Sequence, residues 1–308
     1  MARTRFVADA GLTARMTLVI FLLGAAFVAL ITVVMSILAS AGMGSLALLA
    51  GAAGLGIAFY QWYSSDSVAM RAMRAREVTP QQAPELHAMI DRLCAAADMP
   101  KPRVGVADTN VPNAFATGRS PQRSAVVVTT GILQILTAEE LEGVLAHELS
   151  HVAHRDVLVM TAASSAGIVA GMLSQGAQFG AWFGGGRRDN NSGLPIWLAV
   201  LLVSMVTYAV TFLLVKLLSR YRELSADRSG AYLTGRPQAL GSALQKISGR
   251  MNVVPDQELR ASQPMNAFFI APAIKGVDLR TLTSTHPTLE QRLEQLARIE
   301  ADLRGRAG

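Results

Sequence analysis

No charged side chain occurs from Met16 to Ser65, a run of 50 positions. A soluble fold has no way to solvate a segment of that length, whereas a hydrocarbon core about 30 Å thick accepts two helices of about 20 residues each. Gly42-Met43-Gly44-Ser45 supplies the turn between them. Two further candidates follow, Val157 to Gly186 and Asn190 to Val215, separated by the polar link Gly184-Gly185-Gly186-Arg187-Arg188-Asp189. Ser164, Ser165, Ser174, Gln175 and Gln178 dilute the third candidate, but small residues also suit close packing between membrane helices. The alternative, buried helices of a soluble protein, seldom goes about 20 residues without a charge. A mean hydropathy of +0.33 agrees with four spans.

Ala39-Ser40-Ala41 resembles a signal-peptide cleavage site. The apolar stretch before it, Met16 to Leu38, exceeds the roughly 7 to 15 residues of a cleavable signal, so a retained anchor is expected. Orientation follows the basic residues. Arg3, Arg5 and Arg15 precede the first span, Arg71, Arg74 and Arg76 follow the second, and Lys216, Arg220 and Arg222 follow the fourth. Both termini are therefore expected in the cytoplasm, in a multi-pass protein of the cell's inner membrane. These flanking charges account for much of the net charge of +6, and no basic cluster is interleaved with aromatics, which argues against nucleic acid as a partner. Cys94 is the lone cysteine, which excludes an intrachain disulfide and a thiolate metal cluster.

Six residues before the third span stands His147-Glu148-Leu149-Ser150-His151. Histidines four apart share one face of a helix and can hold one zinc ion, while Glu148, about 100° round, is placed as a general base toward water. A pattern with three fixed positions can arise by chance, but the context is helical. Thr137-Ala138-Glu139-Glu140 is a capping-box start, and Leu141, Val144, Leu145 and Leu149 form an apolar stripe.

Catalytic zinc takes three protein ligands. His154 lies on the same helix, and one straight helix cannot easily close three ligands round one ion; the metzincin spacing also fails, with His154 and Val157 where glycine and histidine are required. Glu223 is the better choice, with Asp227 one turn on to accept a hydrogen bond from a ligand. On spacing alone the same residues read equally well as a salt-bridged helix start among Arg220, Arg222 and Arg228. Depth favours Glu223. If the zinc helix runs into span three and span four runs out into the Glu223 helix, His151 and Glu223 stand about 9 and 12 Å from the hydrocarbon.

Between span two and the zinc helix, Thr79-Pro80 opens a helix whose apolar face is Leu86, Met89, Ile90 and Leu93. His87 on that helix is assigned no function. Val104 to Ala107, Asn113 to Thr117 and Ala125 to Thr129 read as short strands, and an edge of that sheet could hold an extended peptide through its backbone. After span four, Arg222 to Thr234 should be helical, Gly235 stops it, Pro237 starts the next helix, and Thr288 to Leu303 is amphipathic.

These residues, in this order, resemble the HtpX family of membrane-bound zinc metalloproteases, related to the CaaX prenyl proteases. The likeness rests on four blocks: His147 to His151, Arg222 to Asp227, Asn113-Ala114-Phe115-Ala116-Thr117-Gly118, and Ser284-Thr285-His286-Pro287 with Arg292. It implies one zinc per chain held by His147, His151 and Glu223, Glu148 as catalytic base, and proteolytic quality control of membrane proteins. It also implies that Asn113, Ala114, Phe115 and Ala116 border the substrate cleft and that His286 and Arg292 approach the active site. His286 is then the candidate to stabilise the oxyanion, with Arg292 in reserve; His286 before Pro287 reads equally as a helix-entry residue.

The expected fold is mainly α, a polytopic membrane protein with four transmembrane helices and a cytoplasmic zincin-like α+β catalytic domain containing a small β-sheet. Residues 1–65 and 157–215 form two membrane hairpins, and 66–156 and 216–308 the two parts of the catalytic domain. Membrane-protein or peptide substrates and the lipid bilayer are the expected partners. Two rivals to an endopeptidase for damaged membrane proteins remain: a processor of lipidated or tagged C-termini, and a zinc-stabilised adaptor without catalysis.

Overall fold

A computed structural model describes residues 6, 9–156, 196–254 and 287–307. The chain divides into two compact units. The larger comprises Met1–Ala14, Ser65–Leu158 and Lys216–Gly308; the smaller comprises Arg15–Ser64 and Val159–Val215. The third expected span, residues 157–186, and His286 lie outside the described residues.

Helices α1 (Ala10–Ser40) and α2 (Gly44–Ala72) form where the charge-free run predicts them, and the turn between is made by Gly42 at φ 76. There Met43 N–H bonds back to the Leu38 carbonyl at 2.9 Å, closing the end of α1. Among the described residues three helices are long and apolar enough to cross a membrane: Ala10–Ser40, Gly44–Ser64 within α2, and Leu198–Thr234 within α6 (Ile196–Thr234). The smaller unit packs Leu30, Val34, Leu38, Ala47 and Val200 together. Gly51 and Gly54 let α1 side chains lie against the α2 backbone, since a Cβ there would sit 2.6 Å from Met35 Sδ and 2.6 Å from Ile31 Cδ1.

The larger unit is built round a four-stranded sheet of β1 (Ala75–Glu77), β2 (Arg103–Ala107), β3 (Ala114–Ser120) and β4 (Arg123–Thr129), in the order β1-β2-β4-β3. β2 and β4 run parallel, and the two outer strands pair antiparallel. The central pair is buried on both faces and reads accordingly as an apolar run, Val126-Val127-Val128. β3 is left as an edge strand. Helix α3 (Pro84–Ala97) buries Leu86, Met89, Ile90 and Leu93 as expected, but it starts at Pro84 and not at Pro80. Thr79 and Pro80 belong to a preceding turn, closed by the Ala83 N–H on the Thr79 carbonyl and by Thr79 N–H on Gln82 Oε1. His87 is buried on this helix, with Nε2 2.9 Å from the Val78 carbonyl, a packing role.

A short helix α4 (Thr130–Ile135), capped by Thr129, follows β4. Then comes α5 (Ala138–Ala153). Its capping box is complete: the Thr137 side chain accepts from Glu140 N–H, and the Glu140 carboxylate accepts from Thr137 N–H. α5 packs on β3 and β4, on α3, and on α7 (Pro237–Met251), which in turn packs on α8 (Leu289–Ala307). Ile90, Phe115, Ile132, Leu145, Leu149, Leu240, Leu244 and Ile247 fill the core between them. Fixed by that core on its apolar face, α5 turns its histidines toward α6.

Candidate metal centre

One turn of α5 separates His147 from His151, so both rings project from the same side of the helix. α6 brings Glu223 opposite them. Ligand atoms of these three buried residues all lie within 4.8 Å of one another, and no other such group occurs among the described residues. His147 Nε2 is 3.2 Å from His151 Nε2 and 3.5 Å from Glu223 Oε2, and His151 Nε2 is 3.7 Å from Glu223 Oε1. Tetrahedral ligands on zinc, with bonds of about 2.0–2.1 Å, stand about 3.3 Å apart, so the spacing fits that ion.

The donor chemistry makes the same point. Both imidazoles turn Nδ1 to a carboxylate: His151 Nδ1 is 2.8 Å from Asp156 Oδ2, and His147 Nδ1 is 2.8 Å from Asp227 Oδ1. Two Nε2 atoms and a carboxylate thus face one another in a buried space. A divalent cation satisfies such a set. Burial lowers the pKa of His147, but the Asp227 and Glu223 carboxylates more than offset this and raise it to about 9. The cluster thus attracts a positive charge, which a divalent metal would supply.

Close approach of α5 and α6 depends on one residue. Gly230 lies over the backbone of α5, where a Cβ would come within 2.9 Å of the His147 nitrogen and 3.2 Å of the Ala146 carbonyl carbon. Asp227 is in turn gripped by α8: Arg292 donates from Nε to Oδ2 at 2.7 Å and from Nη2 to Oδ1 at 2.6 Å. Such a bidentate pair fixes the carboxylate in orientation as well as charge. Arg292 thus stands behind Asp227, which in turn faces His147.

Glu148 is buried beside the pair. Its Oε2 accepts a hydrogen bond from the Ala116 N–H at 2.9 Å, which joins the helix to edge strand β3. Burial pushes the Glu148 carboxyl up to about 7; Glu223 adds to the rise, and His147 opposes it. A group at that value can take and return a proton near neutrality. Within the Asn113 block, the Phe115 side chain points into the core, and Asn113 N–H donates to Thr129 Oγ1 at 2.9 Å. The block therefore meets the site through the backbone of Ala116. His154 stands apart from the three converging ligands, with Nδ1 2.9 Å from the Ser150 carbonyl and its ring against Phe6. Sequence reasoning gave no site role to two residues: Asp156, which follows the end of α5, and Arg222, read as a flanking charge and as part of a salt-bridged helix start.

Residues 80–300 match peptidase family M48. The chain belongs to peptidase family M48. An M48 relative from Streptomyces coelicolor, named protease HtpX homolog 1, is 48% identical over 98% of this chain and 97% of its own length. Protease HtpX homolog from Moorella thermoacetica is 47% identical over 99% of each. Among solved structures, Ste24p from S. mikatae shares the fold, with a TM-score of 0.53 at 19% identity over 87% of this chain; the chain spans 62% of that protein's length. As an M48 peptidase of the HtpX type with long apolar helices, this chain is a membrane metalloprotease.

Proposed function

We propose that the chain is a zinc endopeptidase that cuts damaged or misassembled membrane proteins at the cytoplasmic face, with His147, His151 and Glu223 as metal ligands and Glu148 as general base. The observation that carries this reading is the convergence of two Nε2 atoms and a carboxylate beside a second, buried carboxylate held by a strand edge. A zinc ion bound there acidifies water and polarises a peptide carbonyl.

The chain's own residues do the rest. Glu148, with Oε2 held by Ala116, takes the proton of the attacking water on its other oxygen and returns it to the departing amine. Substrate enters as an extra strand along β3, where backbone hydrogen bonds beside Ala116 hold the peptide with little regard for its sequence. Such tolerance suits a protease whose targets share a defect and no motif. Arg292 orients His147 through Asp227, and the oxyanion falls to His286. Four spans, a zincin-like catalytic domain and cytoplasmic termini complete the reading; the basic residues at the ends of the apolar stretches of α1, α2 and α6 support the orientation.

Glu148→Gln tests the proposal. In purified full-length protein it should retain about one zinc per chain and lose cleavage of a misfolded membrane substrate by about 10²–10⁴-fold. Cleavage at the wild-type rate would remove Glu148 from the mechanism. Plain and prenylated peptides assayed side by side separate quality control from C-terminal processing, since a processor requires the lipid.

A further inference from the structure

After α5 ends at Ala153 the chain passes through Arg155 at φ 60, a left-handed conformation disfavoured for a residue with a Cβ. Strained backbone of this kind persists where the surroundings hold it in place, often beside a functional site. Here the turn brings the next residue back to the helix just left. Asp156 is 1% exposed, and its Oδ2 meets His151 Nδ1 at 2.8 Å. A buried carboxylate needs a facing cation. Arg222, itself buried, supplies it from α6, with Nε 3.3 Å from the same oxygen. Arg222 directly precedes Glu223, and its Nη2 lies 4.0 Å from Glu223 Oε1.

We propose that Asp156 and Arg222 form a clasp that positions two metal ligands at once. Asp156 keeps the ring proton of His151 on Nδ1 and so presents Nε2 to the metal, while Arg222 ties that carboxylate to the helix turn that carries Glu223. The arrangement mirrors Arg292, Asp227 and His147 on the other side of the site. Each histidine thus faces an aspartate, and each aspartate an arginine, hydrogen-bonded twice in the Asp227 set and paired by charge in the Asp156 set. The two sets differ in origin. Asp227 and Arg292 come from α6 and α8, whereas Asp156 comes from the strained turn after α5 itself, so the His151 set depends on that turn keeping its shape.

This inference rests on the zinc reading above, and the test separates the two. Zinc affinity of the full-length chain is measured by chelator competition, with the visible spectrum of the cobalt-substituted protein as a second readout, all in the Glu148→Gln background. Asp156→Ala should weaken zinc binding by about 10–100-fold and perturb the cobalt spectrum. Asp156→Asn, which keeps an acceptor for Nδ1–H but loses the charge facing Arg222, should fall between. Arg222→Met should weaken binding less than Asp156→Ala, and should add nothing in the Asp156→Ala background. If Asp156→Ala does not fold, Asp156→Asn decides alone. A folded Asp156 variant with wild-type affinity and an unchanged cobalt spectrum overturns the clasp. His151→Ala is the reference: if it still holds zinc normally, the metal site itself is misassigned, a separate failure.

Discussion

In α5 every apolar side chain from Leu141 to Val152 is buried, whereas in α1 Leu18, Phe21 and Val28 stand 57%, 70% and 63% exposed. Both helices are rich in leucine, valine and alanine, so composition is not the difference. α5 confines its apolar residues to one stripe and gives the other face to Glu140, His147, Glu148 and His151, each with a partner. α1 is apolar all round, which leaves hydrocarbon as the solvent for most of its surface. A dry, close-packed surrounding is what makes the charges of the larger unit strong and fixed. The outward side chains of the smaller unit need only be apolar, which any of several residues satisfies.

The largest effect that separates the units should come from truncating one side chain in each. Leu145 is fully buried at the centre of α5, so Leu145→Ala should destabilise the larger unit by about 2–5 kcal/mol through lost transfer energy and a residual cavity. Phe21→Ala, which removes more atoms, should change stability by about 0.5 kcal/mol or less. Denaturant unfolding in micelles measures both. Equal losses would mean that the outward face of α1 is covered by protein, and the contrast would fail.

Glycine to alanine sharpens the same contrast by changing its sign. At Gly230 the new methyl meets backbone atoms of α5, 2.9 Å from His147 N, and backbone cannot yield as a side-chain tip does. Gly230→Ala should therefore cost about 1–3 kcal/mol and loosen metal binding with it. At Gly24 nothing lies within 4 Å among the described residues. Gly24→Ala should stabilise α1 by about 0.5–1 kcal/mol. Thermal melts with and without added zinc report both changes, and a neutral Gly230→Ala would show that α5 and α6 tolerate separation.

The elements legible in the sequence are those whose cause is local. The charge-free run marks α1 and α2, the Thr137 and Glu140 capping box marks the start of α5, and the pairing of His147 with His151 needs only helical spacing. Glu223 was reached by counting helix ends at 1.5 Å per residue, a count that took α5 to run unbroken to residue 157, whereas it ends at Ala153 and the chain turns at Arg155. β1 was not, because Ala-Arg-Glu is too short and polar to show alternation and exists only by pairing with β2. Pro80 misled for a related reason: two prolines, Pro80 and Pro84, each suit a helix start, and the side chain of Gln82 decides between them by closing a turn. Asp156 had no signal of its own. Its meaning depends on the left-handed residue before it and on an arginine 66 positions away, 222 minus 156.

The smallest expected effect concerns charge. Glu140 accepts from Lys246 Nζ at 2.8 Å and from Ser242 Oγ at 2.6 Å, in addition to the Thr137 N–H. Burial alone would raise its pKa, but these hydrogen bonds outweigh burial and bring the carboxyl down to about 2 from an ordinary value of 4.5. A carboxyl depressed in the folded state contributes stability that is complete above about 4.5 and disappears as pH falls through about 2. Lys246 is partly exposed and the carboxylate lies at the rim of an open cavity, so water screens the pair and its contribution is about 1 kcal/mol. Lys246→Met should therefore lower the melting temperature of the larger unit at pH 6 and leave it almost unchanged near pH 2. The segment from Met16 to Ser65 has no group that titrates in this window. Unfolding of the smaller unit should accordingly show no slope between pH 5 and pH 2 that arises within Met16 to Ser65, and a slope in its unfolding would mean that its helices do not melt apart from the paired charges of the larger unit.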